Sequence, residues 1–265
     1  MSLTIQGTSL EPLLFWKPDH SVAEAVDFAS STAATLARLG SGAFFGHLGK
    51  RPPKVLELYE REGCPFSRKV REALSILDLD AVIHPCPEGG TRFRAKVEER
   101  LGRFAIPFLV DPNAGVELSE SDAIVRHLFA SYGDDQVPLA LRLTTVTDLS
   151  SRLASRLRGG KGTRVEPSKR PEELLELYGY EASPYCRIVR EVLSTLELPY
   201  RLHNVARDSP KRPSYLELAG KMQVPLLVDR THGVKMLESR AIVRHLEERY
   251  GAHPGIEAAS APPPS

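Results

Sequence analysis

Cys64-Pro65-Phe66-Ser67 and Ser183-Pro184-Tyr185-Cys186 hold two of the chain's three cysteines, each where a short apolar run gives way to helical spacing. A thiol at a helix N-terminus faces unpaired backbone N–H groups and the positive end of the helix dipole, and both favour the thiolate. Cys64 occupies that first position, with Arg61, Arg68 and Lys69 near in sequence to add positive charge. Its expected role is nucleophile; the alternative is an inert small core residue. The second run reverses the order. Ser183 takes the first place and Cys186 stands one turn into the helix, where structural and catalytic roles are both open. Neither run is Cys-x-x-Cys, so neither closes the short-loop disulfide of a dithiol oxidoreductase. With Ser67 in the last place of the first run, a redox cycle needs its second thiol from elsewhere.

Other residues fall where such a site would need them. Ile106-Pro107 and Val224-Pro225 each lead into an apolar strand ending in aspartate. Proline entering a central strand suggests a cis peptide bond, which leaves the preceding backbone free to pair with an extended peptide; a trans proline at a strand start is the alternative. Glu120-Ser121 and Glu238-Ser239 open a helix. Serine there is an ordinary N-cap, yet the same helix start can bind a carboxylate through its N–H groups and hydroxyl, while the glutamate meets an ammonium. Cys86, in Pro85-Cys86-Pro87, has two readings: a half-buried residue beside a turn, or a resolving thiol that replaces the one missing at Ser67. No metal site is expected.

The elements that must position these residues occur twice. Leu56-Glu57-Leu58-Tyr59 recurs as Leu175-Glu176-Leu177-Tyr178, an offset of 119, and Val70-Arg71-Glu72 recurs as Val189-Arg190-Glu191. After one net deletion the offset is 118, and Ala123-Ile124-Val125-Arg126-His127-Leu128 returns intact at 241–246. The chain is an internal duplication. Each copy reads as strand, helix, strand, helix, strand, strand, helix, with Val70, Leu74 and Leu77 at helical spacing on the first helix. Ser121 is expected to cap the last helix of copy one, and Gly133 to stop it. The expected layout is a helical leader (1–50, with a helix from about Val22 to Leu39), copy one (51–133), a helical and basic linker (134–170), copy two (171–251) and a disordered tail (252–265).

The 265 residues suit about two domains. A net charge of +1 implies no nucleic-acid or membrane partner, and the arginine-rich linker reads as a solvated surface. No run approaches the roughly 18 apolar residues of a membrane helix. Three cysteines are too few for a secreted disulfide scaffold, so a reduced, cytoplasmic setting fits.

Together, Cys-Pro-Phe-Ser and Ser-Pro-Tyr-Cys at the first helix, Ile-Pro and Val-Pro, and Glu-Ser-x-Ala-Ile at the last helix resemble the glutathione-binding N-terminal domain of glutathione transferases and the related glutaredoxins. The tandem arrangement is similar to plant and bacterial two-domain thioredoxin-family proteins, a likeness that Pro85-Cys86-Pro87-Glu88-Gly89-Gly90 and Gly220 to Pro225 share. The resemblance implies an α/β fold of two tandem thioredoxin-like domains packed as a pseudo-dimer within one monomer, each with a four-stranded mixed sheet and flanking helices. It makes Pro107 and Pro225 the cis-prolines. Glu120, Ser121, Glu238 and Ser239 become the γ-glutamyl contacts, and Ile106 and Val224 the partners of the cysteinyl backbone. Cys64 is the implied nucleophile with Ser183 at its equivalent place, and glutathione is the implied co-substrate.

Two departures narrow the activity. The tandem proteins usually carry Cys where Ser67 stands. Neither residues 134–170 nor the 14 residues after Gly251 can hold the helical domain of about a hundred residues on which transferases build their electrophile pocket. The expected activity is therefore glutathione-dependent exchange on mixed disulfides of a protein or small thiol, through Cys64, rather than electrophile conjugation. The alternative is a redox-inert module that binds glutathione or a peptide. Iron–sulfur binding fits less well, because the glutaredoxins that do it have Gly where Pro65 stands.

Overall fold

The computed structural model describes residues 48–142 and 162–252. The expected leader helix, the middle of the basic linker and nearly all of the tail lie outside the described residues.

Copy one runs β1 (Leu56–Glu60), α1 (Pro65–Ile76), β2 (Ala81–Pro85), α2 (Arg94–Leu101), β3 (Phe108–Asp111), β4 (Val116–Ser119) and α3 (Ser121–Tyr132). Copy two repeats it as β5 (Leu175–Gly179), α4 (Pro184–Thr195), β6 (Tyr200–Asn204), α5 (Arg212–Ala219), β7 (Leu226–Asp229), β8 (Val234–Leu237) and α6 (Ser239–Tyr250). The order read from periodicity holds in both copies. The sheets do not stay separate, however. They form one eight-stranded sheet, β4-β3-β1-β2-β6-β5-β7-β8, in which β2 pairs antiparallel with β6. Ala81 faces Leu202, Val82 faces Arg201 and Ile83 faces Tyr200, so a pseudo-two-fold axis passes between Val82 and Arg201.

Alternation along the strands explains the two layers. Leu56 and Leu58 point to one face of β1 and Tyr59 to the other, as period two requires. On the first face, Val70, Ala73, Leu74 and Leu77 of α1 join Ile124 and Leu128 of α3 and their equivalents on α4 and α6 in one buried cluster that spans both copies. On the other face each copy keeps its own small core: Tyr59, Phe93, Val97 and Phe108 under α2, and Val205, Tyr215 and Leu226 under α5. At about 1.5–3 kcal/mol for each large apolar side chain buried, the shared cluster is the main stabilising mass of the molecule.

The start of α3 differs from the sequence reading, while its end agrees. Glu120, not Ser121, holds the capping position of α3; Ser121 is the first helical residue, and Glu120 makes no side-chain cap bond. Gly133 stops α3 as expected, in an extended conformation (φ −117°). It is glycine for space: a Cβ there would sit 2.9 Å from Leu77 Cδ2 and from the Phe129 carbonyl.

Both copies also turn from the first helix through a non-glycine residue in the left-handed region, Asp78 (φ 51°) and Glu197 (φ 49°). Each is held by the other copy. The Glu197 carboxylate accepts the Arg92 N–H at 2.8 Å, and Asp78 accepts the Ser209 hydroxyl at 2.9 Å.

Candidate functional site

Strand register gathers the sequence candidates of copy one along one edge of the sheet. Tyr59 lies opposite both His84 and Phe108, and Phe108 lies opposite Ser119. The chain beyond β1 (Cys64), beyond β2 (Cys86), before β3 (Ile106-Pro107) and beyond β4 (Glu120-Ser121) therefore emerges at the same edge. Copy two gathers Ser183, Val205, Val224-Pro225 and Glu238-Ser239 in the same way. Because β2 and β6 run antiparallel, the two collections sit at opposite edges. Both Ile106–Pro107 and Val224–Pro225 are cis, as expected.

Cys64 is the N-cap of α1, with extended backbone (φ −83°, ψ 122°), Pro65 next and no side-chain cap bond. Its backbone N–H donates to the Arg61 carbonyl at 3.0 Å, and its carbonyl accepts the Arg68 N–H at 3.0 Å. Its thiol is therefore left outside the helix-start hydrogen bonding, although the residue is only 6% exposed. Phe66, two residues on, is among the exposed large apolar side chains. Glu120 stands with φ 79° and its side chain in solvent, with Arg103 3.6 Å away, while Ser121 is buried.

The basic residues expected to favour the Cys64 thiolate are engaged elsewhere. Arg61 pairs with Glu88 at 2.6 Å, Arg68 with Glu72 at 3.3 Å and Glu181 at 3.5 Å, and buried Lys69 with Asp122 of α3. Each of these positive charges is already matched by a carboxylate, and what faces Cys64 is the N-terminus of α1.

The other thiols are enclosed. Cys186 has no exposed surface, and burial pushes its thiol up despite the nearby Ser183 hydroxyl and Arg190. Its counterpart Ser67 is equally buried and accepts the Arg61 N–H at 3.4 Å. Ser183 is buried too, and its hydroxyl accepts the Cys186 N–H at 3.3 Å, so it caps α4. Cys86 packs with Tyr59, Phe93 and Phe108 under α2, on the face of the sheet away from α1, and burial pushes its thiol up as well. All three cysteines are free thiols. In copy two, Glu238 accepts a hydrogen bond from Gln223 Nε2 at 2.7 Å.

A charge network that the sequence reading missed lies between the first helices of the copies. Arg71 bonds Glu60, Glu62 (3.2 Å) and Glu181 (2.9 Å); Arg190 bonds Glu62 (2.9 Å) and Glu181 (2.9 Å). All five are buried. Glu62 and Glu181 are equivalents under the offset of 119, as are Arg71 and Arg190, so four of the five obey the pseudo-symmetry. The fifth, Glu60, has Gly179 as its counterpart. Burial raises the Glu60 carboxyl to about 7 against the pull of Arg71, with Glu62 adding to the rise. Burial would raise Glu181 too, but Arg190, Arg71 and Arg68 outweigh it and hold that carboxyl well below the ordinary range. The repeat of Glu62 and Arg71 as Glu181 and Arg190, at the offset of 119, was the signal available in the sequence.

A sequence profile described as "Glutathione S-transferase, N-terminal domain" matches residues 58–136 and again 177–254, more than half of the chain. The chain belongs to the glutathione S-transferase N-terminal domain family. Neither curated proteins nor solved structures gave a match. Family membership accounts for the repeated βαβαββα unit and for the shared edge on which Cys64, Pro107 and Ser121 fall. The described residues add no helical domain to those two units, and no described helix is long and apolar enough to cross a membrane.

Proposed function

We propose that the protein is a glutathione-dependent thiol transferase that works at copy one through Cys64, with copy two as its scaffold. The observation that carries this reading is Cys64 itself: a thiol at the N-cap of a well-formed helix, outside the cap hydrogen bonds, beside a cis-proline edge. The Cys64 thiolate attacks the glutathionyl sulfur of a mixed disulfide, forming Cys64–S–S–glutathione and releasing the other thiol, which takes a proton. A second glutathione thiolate then attacks that disulfide, giving oxidised glutathione and regenerating Cys64. Ile106 would present backbone to the cysteinyl part of glutathione, and Ser121 with the N–H groups of α3 would receive its γ-glutamyl carboxylate. Glu120 would meet the ammonium. In copy two the equivalent positions serve packing: Ser183 caps a helix and Cys186 fills a core, so neither acts as nucleophile. Cys86, under α2, is assigned to packing and not to resolution, which leaves copy one monothiol.

Cys64→Ser should abolish glutathionyl exchange, followed with a glutathionylated peptide, while Cys186→Ser keeps most of it. Activity that survives Cys64→Ser, or equal loss from both changes, overturns the assignment. A second reading is a redox-inert glutathione- or peptide-binding module. The low exposure of Cys64 and the full pairing of Arg61, Arg68 and Lys69 favour it. Calorimetric binding of glutathione without any exchange activity would select that reading.

A further inference from the structure

We propose that Asp229, His232 and His245 form a zinc site that clasps the β7–β8 turn to α6. The reading is independent of the thiol chemistry, since the three residues lie in copy two and involve no cysteine.

The clasp has an internal reference. In copy one, Asp111 Oδ2 at the end of β3 accepts the Tyr132 hydroxyl at 2.6 Å and contacts His127 Nε2 at 2.8 Å. Copy two reproduces this triad with Asp229, Tyr250 (2.7 Å) and His245 (2.8 Å). It then adds an imidazole: His232 stands where copy one has Ala114, and its Nδ1 lies 2.9 Å from the same Asp229 Oδ2. One carboxylate oxygen thus has three partners, whereas its lone pairs suit about two. His232 Nδ1 is also only 3.2 Å from the Tyr250 oxygen. In copy one the turn instead places Asn113 on Asp111 Oδ1, and the triad is complete without a third nitrogen.

A cation resolves the crowding. Asp229, His232 and His245 offer one oxygen and two nitrogens within 4.8 Å of one another. Two imidazoles with one carboxylate are a borderline-soft donor set suited to zinc, with ligand distances of about 2.0–2.2 Å. Tetrahedral ligands at that length stand roughly 3.3 Å apart, so each imidazole nitrogen, now 2.8–2.9 Å from Asp229 Oδ2, needs to move off that oxygen by only a few tenths of an ångström. The carboxylate is fully buried, and Asp229 Oδ1 accepts the His232 backbone N–H at 3.2 Å, which orients it from behind. The His232 side chain is 27% exposed, so zinc has an entry path and water can take the fourth position. Binding requires both imidazoles neutral, with Nδ1 of His232 and Nε2 of His245 deprotonated, and Tyr250 then keeps its hydrogen bond to Asp229.

The test uses the full chain, stripped with a chelator and titrated with zinc chloride by calorimetry and thermal unfolding. One equivalent should bind in copy two and raise the unfolding midpoint. His232→Ala, which installs the residue copy one already carries, should weaken binding at least tenfold and remove the rise. His127→Ala in copy one should leave zinc binding unchanged. The proposal falls if the wild type takes up no zinc, if His232→Ala binds as the wild type does, or if His127→Ala weakens binding as much.

Discussion

Gly179 and Cys186 share a space that their counterparts, Glu60 and Ser67, divide differently. A Cβ on Gly179 would lie 2.7 Å from the Cys186 sulfur, well inside van der Waals contact. Gly179→Ala should therefore destabilise the protein by about 1–3 kcal/mol in denaturant unfolding. Cys186→Ala combined with it should recover part of that loss, because the clashing sulfur is gone and the two changes are not independent. Strictly additive losses would mean that the two side chains do not compete for the same volume. Copy one solves the position with a smaller Ser67 and an acid whose carboxylate swings toward Arg71. The two candidate cysteines thus part company through a packing detail. A serine–cysteine exchange is visible in the sequence; the glycine that makes room for the sulfur has no meaning until the strand and helix are brought together.

At the scale of elements, the first helix of each copy is tied to the other copy through buried charge. Glu60 gives this junction a pH dependence whose sign is fixed. Its carboxyl takes up a proton near pH 7 when folded, against about 4.3 in an unfolded chain. Between those values the folded state holds more protons, so its contribution to stability falls as pH rises through the window and the full penalty stands above it. Glu181 has the opposite sign: its contribution is lost only as pH falls below the ordinary carboxylate range. Glu60→Gln should remove the neutral-range term. The stability of wild type minus that of the variant, from urea unfolding, should decline between about pH 5 and pH 8; parallel pH profiles would show that Glu60 does not titrate there.

Legibility also divides at this scale. Helices and strands followed from periodicity, and the candidate residues at one sheet edge followed from four short motifs, because both depend on neighbours in sequence. The pairing of Arg61, Arg68 and Lys69 with Glu88, Glu181 and Asp122 did not, since each acid lies at least 20 residues away and reaches its base only through the fold. The Asp229–His232–His245 group was hidden for the same reason: it needs a strand end, a turn and the middle of a helix.

The two copies should unfold as one cooperative body on this architecture. A core that crosses from α1 and α3 to α4 and α6, and a sheet that crosses at β2–β6, leave neither copy with a complete interior. Calorimetric unfolding should show a single transition with equal calorimetric and van't Hoff enthalpies. Two resolved transitions would mean that the shared cluster contributes little across the junction.

The axis through Val82 and Arg201 carries a further consequence. Two identical chains meeting at such an axis would have to place a residue opposite itself, valine against valine or arginine against arginine. Self-opposed arginines would repel, and self-opposed valines would spare no charge for the open face of the sheet. A single polypeptide is released from that rule, and Val82 faces Arg201 here. Covalent joining also makes the meeting of the halves independent of concentration. Each half can then change without its twin, which is how one edge can keep a thiol at its helix start while the other gives it up.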